Sequence, residues 1–370
     1  MSKIHVRATL LTVVMLLLLS ISLPELSAQE QLSDGWLRFT LTGRTSKPDW
    51  TASSVLESDQ LYRDSRYGPE KALDGDPATA WVEGVPGPGV GESYIIGLPH
   101  YPEAFGFING YAKNRDLFEK NYRVKELKVQ VFAGLAVSGF ATEIAQFFDA
   151  RPISEALTIN LADIMEAQRI ELPFEGSRIL ARVREFRNSE EVRSWDFPQA
   201  AEMGVDGSEG MPISFRYLIR LEIAEVYRGW KWEDTCIAEL WPDYGRASKV
   251  SVSEDDKSLL ITAEADKQIP TYSDFEYVLT LVETSRNKEW AIVIKEPAYA
   301  DEGRISSTYA VIHTPSGRDL SKSIFGSSAE KLGTRLLPTG FIRKQGTTYL
   351  EYEDFEQGET KQTPLSLYQR

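Results

Sequence analysis

The sequence predicts an all-β fold, a sandwich or barrel followed by a second antiparallel β unit. From Gly35 onward, short runs rich in Val, Ile, Leu, Tyr and Phe alternate with polar residues and are bounded by Gly, Pro and Asn. Helical periodicity is rare. After the segment WPDYGRASK (residues 241–249) the pattern changes to pairs of runs joined by short turns. Regularly spaced short strands are typical of sandwiches and barrels.

Six runs in the first part of the chain predict strands because each combines β-branched or aromatic residues with period-two alternation. They are YIIGL (94–98), FGFINGY (105–111), VKELKVQVF (124–132), LTINLAD (157–163), RIELP (169–173) and RYLIRLEIAEVY (216–227). Two short helices are predicted, over Pro69–Ala72 and Glu143–Ala150. Residues 186–212 are polar, contain Gly, Ser and Pro and show no clean period, which predicts a long surface insertion between two strands.

The second unit covers residues 250–370 and carries four hairpin signals. They are KVSV-SEDDK-SLLITAEA, YVLTLVE-TSRNK-EWAIVIKE, STYAVIHT-PSG-RDL and FIRKQ-GTTYLEYEDF. We therefore divide the chain into a lead-in (29–49), a first domain (50–245) with the insertion, and a second, smaller antiparallel β domain (250–370). We expect the second domain to fold separately.

The first 28 residues have the layout of a secretory signal. Lys3 and Arg7 precede an apolar run from Ala8 to Leu23, and the segment ends in the small residue Ala28. The run is shorter than the roughly 20 residues that span a bilayer. We expect cleavage after Ala28, export to the periplasm, the outer surface or the medium, and no stable membrane span afterwards. An uncleaved anchor is the alternative.

Charge and residue usage exclude several function classes. The net charge of −14 repels phosphate backbones, so a nucleic acid is not an expected partner. Cys236 is the only cysteine, so the chain has no internal disulfide. Three histidines and no HExxH motif argue against a zinc site built on several histidines. No pair of carboxylates stands out as acid and base, and we expect no catalytic residues. A hydrolase site in residues 250–370 is the competing hypothesis.

The stretch ALDGDPATAW (residues 72–81) places Asp74 and Asp76 on either side of a glycine, with Thr79 three residues later. Calcium binds about six to eight oxygens, drawn from carboxylates and from the carbonyls of tight turns. The same spacing also suits a plain Asp-Gly turn with solvated carboxylates. The residues alone leave both interpretations open.

Three segments together resemble a known family. They are ALDGDPATAW, the run FINGYAKNRDLFEKNYRVKELKVQVF (107–132), and YRGWKWEDTCIAEL (227–240). Over residues 50–242 the chain resembles discoidin-like domains, also called coagulation-factor type C domains, and in particular the translocation domain of bacterial secreted NAD glycohydrolases. The resemblance implies a galactose-binding-like jelly-roll β-sandwich. The catalytic domain of those toxins is not recognisable after residue 250, and the insertion at 186–212 departs from the family pattern.

The resemblance also implies a structural calcium ion. Its ligands would be the carboxylates of Asp74 and Asp76, the oxygens of Thr79, the carbonyl of Lys71, and Glu239 in the closing strand. On this interpretation YRGWKWEDTCIAEL is the last strand of the domain and returns beside the first loop. Cys236 would then face the core together with Ile237 or Leu240, and Trp81 would be internal.

The function predicted from these observations is binding without catalysis. The ligand would be a glycan or another cell-surface component, and Trp230 and Trp232 would form an aromatic platform because residues two apart on a strand share a face. Packing of both rings within the sandwich is the alternative. Other candidate functions are an accessory translocation domain of a toxin-like protein and a structural protein of the cell envelope. No oligomeric state follows from the sequence.

Overall fold

The structure is a computed structural model that describes residues 29–32, 35–42, 48–56, 66–137, 145–193, 213–263, 267–274, 276–298 and 307–368. The predicted signal segment lies outside these residues. Most of the described chain is β-strand, so the predicted fold class, a β-sandwich followed by smaller antiparallel sheets, is confirmed. Among the described residues, no helix has both the length and the apolar composition needed to cross a bilayer.

Twelve strands of the described chain hydrogen-bond into one continuous sheet that folds over itself. The strands are β1 (Gln29–Gln31), β2 (Leu37–Thr42), β3 (Asp49–Ala52), β4 (Trp81–Val82), β5 (Ser93–Leu98), β6 (Ala104–Asn109), β7 (Tyr122–Val137), β8 (Ala145–Pro152), β9 (Leu157–Asn160), β10 (Gln168–Glu171), β11 (Ile213–Tyr227) and β12 (Thr235–Asp243). The main order is β1-β2-β3-β5-β11-β7-β12-β6-β10. β4 pairs with β12, β8 pairs with β2 and β7, and β9 pairs with β7.

Three smaller sheets follow. They are formed by β13 (Lys249–Val252), β14 (Ser258–Thr262) and β15 (Gln268–Ser273); by β16 (Tyr277–Thr284), β17 (Trp290–Pro297), β18 (Thr308–His313) and β19 (Arg318–Asp319); and by β20 (Leu336–Lys344), β21 (Thr347–Asp354) and β22 (Glu359–Pro364). The four predicted hairpins are all present. The separate folding of this part stays a prediction.

The described helices are short. The α-helices are α1 (Arg115–Lys120), α2 (Gly176–Arg187), α3 (Glu190–Arg193) and α4 (Ser321–Phe325), and the 3-10 helices are Pro69–Leu73, Gly326–Lys331 and Leu365–Leu367. The first 3-10 helix begins with Pro69, a residue whose fixed φ suits the start of a helix. It corresponds to the helix predicted at Pro69–Ala72.

The central strands are buried on both faces. Alternation along β5 sends Ile96 into one hydrophobic core, with Trp81, and Ile95 into a second core on the opposite face. In β11, Ile219 and Leu218 divide in the same way. The second core exists because β2 and β8 cover the outer face of the central strands. The segment expected as a lead-in, residues 29–49, therefore supplies β1 and β2 of this sheet.

The predicted helix at Glu143–Ala150 is wrong for its described residues, which belong to β8. β8 pairs with β2 along six residues and with β7 at its far end. Phe148 lies opposite Phe39 and is fully buried in the second core. Ladder hydrogen bonds and burial thus override a local helix preference, because propensity differences are only tenths of a kcal/mol per residue, up to about 1 kcal/mol.

The insertion predicted at residues 186–212 stays a prediction, because the structure describes only residues 186–193 of it, which lie between β10 and β11. α2 ends at Arg187 and α3 covers Glu190–Arg193, while residues 194–212 lie outside the described residues. α2 buries Ile179 and Val183, one helical turn apart, in the main core. The sequence pattern did not predict α2, because the apolar stripe of this helix is only two residues wide within a charged run.

Phe148→Ala tests the reassignment of β8. Because Phe148 is fully buried, its truncation should lower the free energy of unfolding by about 3–5 kcal/mol. Phe147→Ala is the matched control, since Phe147 is the half-buried neighbour on the other face of the strand and should cost clearly less. Urea denaturation of both variants measures the difference. Equal and small losses would contradict burial of Phe148 in a core.

Candidate functional site

The acidic turn, which we define as residues 74–79, follows the first 3-10 helix. Gly75 has a φ of +76°, a conformation that glycine adopts without strain, and it lets the chain reverse between the two aspartates. The turn is held by its own side chains. Asp74 Oδ1 accepts from the backbone N–H of Asp76 at 2.9 Å, and Asp76 Oδ1 accepts from the N–H of Ala78 at 3.1 Å. These are Asx turns.

Oxygen atoms crowd around the Thr79 hydroxyl. Thr79 Oγ1 lies 3.0 Å from both carboxylate oxygens of Asp74, 3.0 Å from the carbonyl of Asp76 and 3.3 Å from the carbonyl of Lys71. A hydroxyl carries a single hydrogen, so it cannot donate to all four acceptors at once. An excess of oxygen acceptors over donors is the environment that a hard cation such as calcium requires. The residues present therefore fit the predicted ion.

The structure changes one detail of the ligand set predicted at this turn. Asp76 faces Thr79 with its backbone carbonyl, while its carboxylate accepts from the N–H of Ala78 and from Lys322. Among the described residues, no group of three or more His, Cys, Asp or Glu side chains is arranged to hold a metal. The cluster around Thr79 instead combines two carbonyl oxygens and a hydroxyl with the carboxylate of Asp74. The calcium site stays a prediction.

The C-terminal part of the chain docks on the acidic turn. Lys322 Nζ lies 2.8 Å from Asp76 Oδ2, and the Ser323 hydroxyl donates to the carbonyl of Gly75 at 2.8 Å. Partial burial, the largest single effect, acts to raise the pKa of Asp76. The hydrogen bonds from Lys322 and Ala78 outweigh it, so the pKa lies below its usual value. In turn, the hydrogen bond to Asp76 raises the pKa of Lys322.

Glu239 lies against an arginine of the C-terminal part. It is 1% exposed on β12, and its Oε2 accepts from Arg318 Nη2 at 3.3 Å. The Arg318 guanidinium stacks on Trp241, 3.9 Å from the ring centroid. Burial lowers the pKa of Arg318, and the nearby carboxylates of Glu239 and Asp74 oppose this shift. The carboxylate assigned to calcium from the sequence thus has a guanidinium as its partner.

The other inferences about the closing strand are confirmed. Cys236 and Ile237 in β12 lie opposite Val82 and Trp81 in β4, so the strand does return beside the first loop. Cys236, Ile237, Leu240 and Trp81 are all at most 1% exposed. Because both faces of β12 are buried, Ile237 and Leu240 are in the main core, and Cys236 is buried in a separate cluster with Ala80 and Val82.

Trp230 and Trp232, however, are not on a strand. β11 ends at Tyr227 and β12 begins at Thr235, and the residues between them form the tryptophan loop (228–234). The backbone N–H groups of Trp230 and Trp232 donate to carbonyls at the end of α1, at 3.2 and 2.9 Å. Gly229 allows this approach, because a Cβ there would lie 2.3 Å from the Lys120 carbonyl. The predicted strand was wrong at this position because these N–H groups bond to a helix end.

The two rings flank a lysine and differ in exposure. Lys120 Nζ lies 5.3 Å from the Trp230 centroid and 5.8 Å from the Trp232 centroid, within cation–π range. Lys120 also pairs with Asp116 on α1. Trp230 is 65% exposed and Trp232 is half-buried. The tryptophan loop therefore presents one free aromatic face beside positive charge.

A sequence profile of the family described as NAD glycohydrolase translocation F5/8 type C domain matches residues 42–242. The match spans more than half of the 370 residues. The chain belongs to this family. The translocation domain thus includes the acidic turn, the tryptophan loop and Glu239, whereas Arg318 and Lys322 lie outside the matched range.

No curated protein matches the chain. Two cryo-EM structures of a mutant of the arabinofuranosyltransferase AftD from Mycobacteria, class 1 and class 2, are 11% identical, with TM-scores of 0.28 and 0.27. They match 56% and 62% of this chain but only 11% and 16% of their own length.

The sequence reasoning missed Arg318, Lys322 and Lys120. Arg318 is 79 residues from Glu239, and Lys322 is 246 residues from Asp76. No sequence feature near Arg318 or Lys322 indicates the distant carboxylate with which it pairs. For Lys120 a signal existed, because its segment and the tryptophan loop both belong to the motifs that carried the family resemblance.

The buried pair between Arg318 and Glu239 gives a stability prediction. Arg318→Met keeps an apolar chain against Trp241 but leaves Glu239 buried without this cation, which should cost about 3–5 kcal/mol of unfolding free energy. Lys322→Met removes a surface partner of Asp76 and should cost about 0–1 kcal/mol.

Thermal and urea denaturation measure both variants. Adding Glu239→Gln to Arg318→Met should recover part of the loss, because the buried charge is then gone. A loss for Arg318→Met no greater than that for Lys322→Met would show that the buried pair does not join the two parts of the chain.

Proposed function

We propose that this protein is exported and acts as a non-catalytic accessory module that binds a glycan or another cell-surface component. The family match supports the accessory part of this proposal, since a translocation domain is not a catalytic one. The predicted signal segment supports export. The observation that carries the binding role is the exposed face of Trp230 on a backbone-anchored loop.

The tryptophan loop suits sugar recognition for physical reasons. The apolar face of a sugar ring stacks on an aromatic ring, while neighbouring polar groups bind its hydroxyls. Trp230 supplies the aromatic face with the Lys120 ammonium beside it, and Lys231 lies over the neighbouring Trp232 ring. The loop's hydrogen bonds to α1 hold the ring in place before binding, so less conformational entropy is lost on association.

A calcium ion at the acidic turn is part of the same proposal. The ligands would be the Asp74 carboxylate, the Thr79 hydroxyl and the carbonyls of Lys71 and Asp76. The ion would hold the turn that meets β12 on one side and α4 on the other. Its role would be structural, because all four ligands lie within residues 71–79 and the ion would hold the fold of this turn.

A second candidate function is suggested by the family description itself. An accessory role in translocation would use the same exposed loop to contact a membrane-associated or surface partner instead of a free glycan. Binding to purified glycans distinguishes the two functions.

Trp230→Ala should abolish or strongly weaken glycan binding. Loss of a stacking platform costs about 1.4 kcal/mol or more, which is roughly tenfold in affinity. The test is an array of immobilised glycans probed with the protein from Gln29 onward. Phe355→Ala is the control, since Phe355 is similarly exposed, at 57%, in a turn of the last sheet. Wild-type binding that survives Trp230→Ala unchanged would remove the platform from the proposal.

Calcium should raise the melting temperature, and a chelator should lower it. A ligand that binds only the folded state stabilises it by about 2.7 kcal/mol at a hundredfold excess over its Kd. Magnesium should substitute poorly, because it requires a tighter octahedral shell. Asp74→Asn should abolish the response, whereas Asp255→Asn, in an exposed hairpin turn, should retain it. Identical melting curves in chelator and in calcium would exclude the ion.

A further inference from the structure

A cavity of about 470 Å³ lies between the translocation domain and the C-terminal sheets. One wall comes from β3, β11 and β12 and includes Asp49, Arg216 and Trp241. The opposite wall comes from β15 and β19 and includes Thr271 and Arg318. Its size falls within the roughly 300–1,000 Å³ typical of small-molecule sites, and such sites favour domain interfaces. Because 11 of the 25 lining residues lie outside the family match, this cavity is not a feature of the translocation domain alone.

Two polar atoms on the cavity wall have no partner within the described part of the chain. Arg318 Nε and the Thr271 hydroxyl are both buried, and neither forms a hydrogen bond there. Leaving such a group unsatisfied costs about 1–3 kcal/mol, so buried polar groups in proteins are nearly always bonded to something. Arg318 is also held rigidly, by Glu239 and by the Trp241 ring. The arrangement points to a bound molecule that supplies oxygen acceptors.

The charges on the cavity wall indicate whether the bound molecule is charged or neutral. Three cationic side chains line the cavity, and each is paired: Arg216 with Asp49 at 3.3 Å, Lys295 with Asp274 at 2.7 Å, and Arg318 with Glu239 at 3.3 Å. The lining also includes the carboxyl groups of Asp74 and Asp319. Carboxylates therefore outnumber cations on the described wall, and an anion would be repelled.

The remaining lining groups suit a neutral polyhydroxylated molecule. Tyr272 and Tyr244 provide aromatic surface on the wall. Paired carboxylates and guanidinium groups offer acceptors and donors close together, which matches hydroxyl groups that both donate and accept. Burial raises the pKa of the Asp319 carboxyl, although hydrogen bonds from Ser321 oppose this shift. Burial also raises the pKa of the Asp49 carboxyl, and the neighbouring Arg216 opposes this shift.

We propose that this cavity binds a neutral saccharide unit, held by the Thr271 hydroxyl and by Arg318 Nε. The proposal rests on the proposed glycan-binding function and adds to it a second, enclosed subsite formed by both parts of the chain. The tryptophan loop precedes β12 and the cavity includes Trp241 near its end, so the two sites lie toward opposite ends of one strand. An acidic sugar would be excluded from the cavity by charge.

Thr271→Val is the decisive variant because it removes a hydroxyl that forms no hydrogen bond within the described part of the chain. The variant keeps the shape of the side chain, so its melting temperature should be unchanged or higher. Binding of neutral saccharides should fall roughly fivefold, as expected for the loss of one neutral hydrogen bond. Thr280→Val, an exposed position on β16, is the matched control and should bind as wild type does.

Binding is measured by saturation-transfer NMR on the full chain from Gln29 onward. The probes are free glucose, galactose, mannose, arabinose and N-acetylglucosamine, with N-acetylneuraminic acid as the acidic comparison. The same variants and Trp230→Ala are then applied to immobilised glycans. The cavity site is supported if Thr271→Val weakens binding of a neutral sugar and Thr280→Val does not. The acidic sugar should give no binding signal.

Two contrary results are distinguishable. If wild type binds no free sugar and no immobilised glycan, the proposed function fails and this inference fails with it. If glycans bind and require Trp230, but Thr271→Val behaves as Thr280→Val does, the proposed function stands and only the cavity site is overturned.

Discussion

The burial of Glu239 is the constraint on which the junction between the two β parts depends. A carboxylate that is 1% exposed needs a charged partner, since an isolated buried charge costs several kcal/mol. The translocation domain provides tryptophan surface beside Glu239, and the C-terminal part provides Arg318, which stacks on Trp241. The pairing of the Glu239 carboxylate with Arg318 therefore brings β19 against β12.

Once Arg318 is in place, the neighbouring contacts follow from the chain itself. Lys322 and Ser323 are four and five residues further on, in α4, and they reach the acidic turn. Thr271, on β15, lies on the same wall of the cavity as Arg318. The same guanidinium thus neutralises Glu239, helps to align α4 with residues 74–79, and leaves a donor at the cavity wall. The acidic turn is consequently both an oxygen cluster and a docking surface.

β12 connects the three regions that carry the proposals. It begins directly after the tryptophan loop, its residues Cys236 and Ile237 pair with β4 next to the acidic turn, and its later residues line the cavity. A strand buried on both faces is well suited to this role, because its position is set by packing along its whole length. A substitution in one of these three regions is therefore expected to affect the other two through a rigid strand and not through a mobile loop.

The sequence by itself determined the all-β class, the hairpins after residue 250, the strand that carries Cys236, and membership of the translocation family. These properties are local, since alternation, turn residues and motif spacing can be read within a few tens of residues. It also determined the oxygen-rich turn at Asp74–Thr79. Tertiary structure decided the rest. β8 is a strand because β2 and β7 flank it, and residues 228–234 are a loop because their N–H groups bond to α1. Glu239 faces Arg318 because docking of a distant segment, which no local pattern records, sets the partner of a buried charge.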